Sequence, residues 1–274
     1  SIDANDPTSL TLTRLYIDWL EESLHPYGYP AHAAGLGYDI SQTTNGLLLT
    51  LSGYREGAER LFDAILAHLK QTPPFQSQFE HLKERLLTEY RFSRAENALQ
   101  RGLAAYRSVL YTPSISYQQR LEALQEASYE QFLSHIQHLY DHTYVQGVLY
   151  GAISPNDALR VYHKLQDRLE SRPFPSDQHR SSGVVVLPDA SGPYSVEISA
   201  PYHSHAAILA VEGGDFSFKI RAAQQILGQA LNNAFYSALR TQQQTGYEVF
   251  AKDQEIDQHL FFLFAVQSAT HDPR

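Results

Sequence analysis

Cysteine does not occur in this 274-residue sequence. Its absence excludes disulfides, zinc–thiolate sites, iron–sulfur clusters and cysteine nucleophiles. It is compatible with a reducing cytoplasm and an oxidising periplasm alike. Methionine is missing too, position 1 included, so a processed chain or a fragment is expected. Basic charge is scarce: 21 Lys and Arg against 30 Asp and Glu give −9 at pH 7. That argues against a nucleic-acid partner held by phosphate contacts. No run approaches the ~18 apolar residues of a membrane span, so none is expected. Nor does a basic-then-apolar segment of the secretory type open the chain.

What is present suits a globular protein. The sequence is 43% apolar and 19% charged, and its length fits one large domain or two ordinary ones. Asp6-Pro7 supplies an N-cap and a first-turn proline. Leu12, Leu15, Tyr16, Trp19 and Leu20 then form one helical stripe, which ends near His25-Pro26. Strands are expected over about 33–43 and 47–54, joined at Thr44-Asn45-Gly46. Leu61, Phe62, Ile65, Leu66 and Leu69 mark a second helix, stopped by Pro73-Pro74. A long helical stretch covers about 75–111, with a break near Gly102, and a shorter one 117–125. Ser128 and Gln131 make a capping box, a strand reads at 144–151, and Ser154-Pro155 starts a helix ending near Ser171.

Residues 172–183 lack periodicity, are rich in breakers and read as an interdomain linker between units 1–171 and 184–274. The second unit reads as strands near 184–187, 194–200 and 206–211, a helix over 216–241, and strands over 247–252 and 260–267. It looks truncated. Gly37-Tyr38 and Gly246-Tyr247 each follow a helix and open a strand–turn–strand, which points to an internal duplication.

Two places invite chemistry. His135, His138, Asp141 and His142 include a His-x-x-Asp-His string, one methylene short of an inverted zinc-peptidase motif. No third ligand is identifiable, and a polar helix end explains the cluster as simply. His203 and His205 are too few for a catalytic zinc. Phosphate-loop, dinucleotide and hydrolase-elbow motifs are absent from the sequence. The second place runs from Phe235 to Phe250. There Arg240 offers five fixed donors suited to carbonyl oxygens, and Tyr247 offers a ring and one hydroxyl. From physics alone, a cation at a helix end and a half-buried sheet tyrosine would account for both.

Leu239-Arg-Thr-Gln-Gln-Gln-Thr-Gly-Tyr-Glu-Val249 resembles the Leu-Arg-Thr-x-x-Gln-Leu-Gly-Tyr-x-Val segment of the insulinase/pitrilysin family of zinc metallopeptidases, with Thr245 in place of Leu. The stretches 12–24 and 29–38 are similar to the opening of that family's third domain, and 150–153 and 186–188 to the junction with its fourth. The resemblance implies an α+β fold of two homologous domains, each a mostly antiparallel sheet packed with helices, the second incomplete. Family members enclose a chamber between two halves. Their catalytic His-x-x-Glu-His lies on the first helix of the first domain, and the corresponding helix here, residues 10–24, has no histidine. Zinc is therefore expected in an absent N-terminal half, with no metal and no catalytic residue in this chain. The resemblance assigns Arg240 and Tyr247 to substrate contact, Arg240 donating to the peptide backbone and Tyr247 towards the scissile carbonyl. Ala31 stands seven residues before Tyr38, where the second unit has Arg240.

The implied function is the non-catalytic C-terminal half of a zinc metalloendopeptidase, inactive alone. Its partners would be peptide substrate and the catalytic half of the same polypeptide or a catalytic subunit. Such a half would expose an interface, which the sequence does not locate. Two rivals remain: an inactive scaffold subunit of the same family, and an autonomous metalloenzyme using His135, His138, Asp141 and His142.

Overall fold

A computed structural model describes residues 2–44, 46–93, 97–175, 183–185, 192–199 and 204–271. The chain divides into two compact units, one of residues 1–90 and 115–181, the other of 91–114 and 182–274. Neither unit is one continuous segment.

The first unit is built on α1, Pro7–Ala33. Asp6 caps it by accepting from the N–H groups of Thr8 and Ser9, which satisfies donors that the helix itself cannot. Leu15, Tyr16, Leu20 and Leu24 are fully buried along one face. The helix runs past the expected stop at His25-Pro26. Pro26 and Pro30 are four residues apart on one exposed face, where each ring removes one backbone donor from the helix. Leu24 and Ala31 are buried and anchor the extension.

Around α1 pack the antiparallel hairpin β1 (Gly37–Gln42) and β2 (Leu47–Ser52), α2 (Arg55–Leu69), α5 (Tyr117–Glu126) and α6 (Tyr129–His138). The hairpin pairs Gly37 with Ser52 through Gln42 with Leu47. Asn45, in its expected turn, lies outside the described residues. Ser116 and Ser128 form capping boxes with Gln119 and Gln131, and Ser154 does so with Asp157. They start α5, α6 and α7 (Pro155–Leu169).

The helical stretch 75–111 is two helices, α3 (Gln76–Ser93) and α4 (Ala98–Leu110). A helix starts anew at Asn97, which caps α4 by accepting from the Gln100 N–H, and α4 runs unbroken through Gly102. A Cβ at Gly102 would lie 2.7 Å from Ile208 Cδ1, so this glycine serves close packing. Among the described residues, no strand pairing is seen over the expected strand 144–151. Only His142–Thr143 (β4) pairs, in parallel with Arg172–Pro173 (β5), and Val148 and Tyr150 are exposed. At the end of the linker stretch 172–183, Gly183 pairs with Thr112, and the next residue, Val184, with Tyr111, which makes the short strands β6 (Gly183–Val184) and β3 (Tyr111–Thr112).

The second unit centres on a three-stranded antiparallel sheet, in the order β7 (His205–Glu212), β9 (His259–Ser268), β8 (Glu248–Ile256). Leu99 and Leu103 of α4 pack on Leu263 and Ala265 of β9. Helix α8, Phe218–Tyr236, takes the opposite face, where Phe235 meets Phe264 edge-on at 5.3 Å. Alternation along β9 puts Phe264 and Leu263 on opposite sides. Ser217 caps α8, and Asn232 Oδ1 accepts from the Ala251 N–H, tying the helix to β8. β8 and β9 turn through Asp257 and Gln258, both at positive φ (47° and 65°), as a two-residue hairpin requires. Residues 194–199 are described without strand pairing, so the strand expected over 194–200 is not seen there. The order helix, Gly-Tyr, strand, turn, strand occurs in both units.

Candidate functional site

The segment that joins α8 to β8 has an unusual local geometry. After Tyr236 the helix widens into a π-helical turn, Ser237–Gln242, with the Gln243 N–H donating to the Ala238 carbonyl at 2.9 Å. Such turns add one residue per turn and are frequent at functional sites. Gln244 is left-handed, at φ 53°. Thr245 then donates twice to the Leu239 carbonyl, from N at 3.0 Å and from Oγ1 at 3.2 Å. The Thr245 side chain thus adds a second donor to a helix-end carbonyl that its backbone N–H already satisfies.

Arg240 is exposed. Its Nη1 donates to the Gly246 carbonyl at 3.2 Å, across the connector. A guanidinium has five donors in a fixed fork, and among the described residues this is the one hydrogen bond it makes. Gly246 is buried, and a Cβ there would come within 2.4 Å of Val266 Cγ2 and 3.0 Å of the Gln267 carbonyl. Only glycine lets the connector lie this close to β9. The Tyr247 N–H then donates to the Gln267 carbonyl at 2.9 Å. The Tyr247 ring is 48% exposed, and its hydroxyl is hydrogen-bonded to Gln267 Nε2. Arg240 and Tyr247 are thus held at one connector, both reachable from solvent. In the first unit, Tyr38 is less exposed and a Cβ on Gly28 of α1 would be 3.4 Å from its hydroxyl. It packs back onto its own helix.

The histidine cluster separates. His138 Nδ1 lies 2.9 Å from Asp141 Oδ2 on the surface. His135 points inward, its Nε2 2.9 Å from Thr13 Oγ1. The Thr13 hydroxyl donates to the Ser9 carbonyl, so it accepts from His135. Burial pushes the His135 ring down to about 4. The Asp141 carboxyl is held below the usual range by its hydrogen bond from His138. Asp141 and His142 border a cavity of about 640 Å³ with Lys70 and Glu170, which pair with each other at 3.6 Å. Among the described residues, no group of three or more His, Cys, Asp or Glu side chains is placed to hold a metal ion. His25 and His32 both lie within the lengthened α1, but seven residues apart and exposed, without the inverted zinc motif. His203 and residues 186–188 lie outside the described residues.

One residue of this site escaped sequence reasoning: Gln267. Nothing in a strand sequence marks a glutamine as the partner of a tyrosine twenty positions earlier. A polar residue closing the apolar run 260–266 was the one available signal.

Residues 2–123 match the family described as the middle or third domain of peptidase M16. Residues 226–274 match the PQQ synthase PqqF-like C-terminal lobe domain 4. Insulin-degrading enzyme of Homo sapiens is 25% identical over 268 residues, covering 96% of this chain and 26% of that protein. A Schizosaccharomyces pombe protein described as a zinc protease is 24% identical over 276 residues, covering 97% and 28%. The crystal structure of pitrilysin superposes with a TM-score of 0.80 at 20% identity, over 98% of this chain and 28% of that one. The chain spans about a quarter of the length of these relatives. No helix among the described residues is long and apolar enough to cross a membrane.

Proposed function

The chain is an insulinase/pitrilysin-family C-terminal region, and on that premise we propose that it is the non-catalytic half of a zinc metalloendopeptidase. It would line part of the substrate chamber and touch the peptide through Arg240 and Tyr247. Zinc, its ligands and the general base would come from the N-terminal half of the same polypeptide or from a catalytic subunit. The residues described here offer no place for the ion, so no step is assigned to it in this chain.

The observation that carries the reading is the presentation of the Arg240–Tyr247 connector. A π-helical turn, a left-handed Gln244 and a glycine pressed against β9 hold two donors accessible to solvent. Donors fixed in advance cost no reorganisation when charge develops on a carbonyl oxygen, which is the source of their catalytic value. Arg240 would donate to the backbone of the bound peptide. Tyr247 would donate its hydroxyl proton towards the scissile carbonyl as the oxyanion forms.

The test uses the full-length protein and this 274-residue chain side by side. The chain alone is expected to hydrolyse no peptide. In the full-length protein, Tyr247→Phe is expected to lower turnover by roughly 100-fold, the order seen on removing one oxyanion donor. Arg240→Ala is expected to act mainly on KM, with zinc content unchanged in both. Unchanged kinetics in both variants would sink the assignment. A full-length protein without His-x-x-Glu-His upstream and without activity would favour the scaffold role instead.

A further inference from the structure

We infer that Gln267 is the positioning residue for Tyr247, and that it sets the direction of the Tyr247 hydroxyl proton. The inference rests on the reading of Tyr247 as a donor to substrate. Gln267 is fully buried in β9, where each polar atom of its amide needs a partner. Its Oε1 accepts from the Leu99 N–H at 3.3 Å. Leu99 stands in the first turn of α4, where backbone donors have no partner within the helix. A backbone N–H can only donate, so the acceptor end of the amide is committed to Leu99.

That commitment fixes the other end. Nε2 faces the Tyr247 hydroxyl, and an amide nitrogen can only donate. Tyr247 Oη is therefore the acceptor in this bond, and its own proton points away from β9. The same residue holds the Tyr247 backbone, because the Gln267 carbonyl accepts the Tyr247 N–H at 2.9 Å. One buried glutamine thus fixes the strand entry of Tyr247, its hydroxyl position and the polarity of that hydroxyl. An acceptor in place of Nε2 would consume the proton. An alkyl group would leave it unaimed.

The experiment is a double-mutant cycle in the full-length protein, with zinc content and Tm recorded for every variant. Gln267→Leu is expected to lower kcat by roughly 10-fold with KM little changed, the order for losing a group that orients a functional one. Gln267→Glu retains an acceptor for the Leu99 N–H and reverses the bond to Tyr247. Its kcat is expected to fall to that of Tyr247→Phe. In the Tyr247→Phe background, neither substitution is expected to lower kcat further. Equal fold-losses with and without Tyr247→Phe would overturn the inference and leave the reading of Tyr247 standing. Full activity in Tyr247→Phe alone would overturn that reading, and the inference with it. Should Gln267→Leu fail to fold, the near-isosteric Gln267→Glu carries the same comparison.

Discussion

His135 shows how the fold sets the chemistry of a single residue. Its ring is packed inside the first unit against Thr13, and burial lowers its pKa from 6.5 to about 4. The unfolded chain therefore binds a proton below pH 6.5 that the folded chain refuses until about pH 4. Stability from this group is complete above pH 6.5 and is lost as pH falls towards 4. The loss between pH 7 and pH 5 is about 2 kcal/mol. His135→Gln is expected to remove that part of the pH dependence in urea unfolding of the chain, and parallel profiles would contradict it. Charged residues show the same contrast. Glu22 and Glu89 pair with Arg85 and Arg14 at the surface, whereas Arg14 also bonds the buried Asp18 at 2.8 Å. Arg240 and Tyr247, whose contact with substrate stays a proposal, were open to sequence reading as candidates because they sit in one short motif. Gln267 was not, because its role exists only through pairing between β8 and β9.

Most helices could be read from their caps and stripes, since both signals are local. Ser128 with Gln131 and Ser154 with Asp157 start helices where they should. The misplaced boundaries share one cause, which is tertiary packing. Helix α1 passes two prolines because its buried face outweighs the lost bonds. Residues 144–150 have strand-forming side chains, but among the described residues no strand pairs with them, and strands need partners. Gly102 and Gly246 look alike in sequence, as isolated glycines near helix ends. In the structure both are contact glycines, one under Ile208 and one against Val266. Gly246 faces backbone as well as side chain, so relief at that site needs movement of the connector itself. Gly246→Ala is expected to destabilise the chain by about 1–3 kcal/mol and, in the full-length protein, to lower turnover through Tyr247. Calorimetry with kinetics checks both, and an unchanged Tm would refute the packing argument.

At the scale of the molecule, the compact units do not follow the order of the chain. Helix α4 precedes α5 and α6 in sequence, yet its Leu99 and Leu103 complete the core beneath β9. The division at 172–183 stays a proposal about ancestry. A cut there would strip the sheet of α4. A fragment of residues 182–274 is therefore expected to unfold without cooperativity, and Leu103→Ala in the whole chain to cost about 2–4 kcal/mol. Cooperative melting of that fragment would refute this account. If the proposed function holds, an interface with the catalytic half could use Phe218, Ile226 and Leu209, all well exposed in the second unit. The sequence by itself determined most helix starts and the β1–β2 hairpin, because each rests on residues within a few positions of one another. Only the tertiary structure decided where helices end, which segments pair, which unit owns α4 and which buried amide grips Tyr247. Those outcomes depend on contacts between residues as many as 168 positions apart, whose energies no local pattern records.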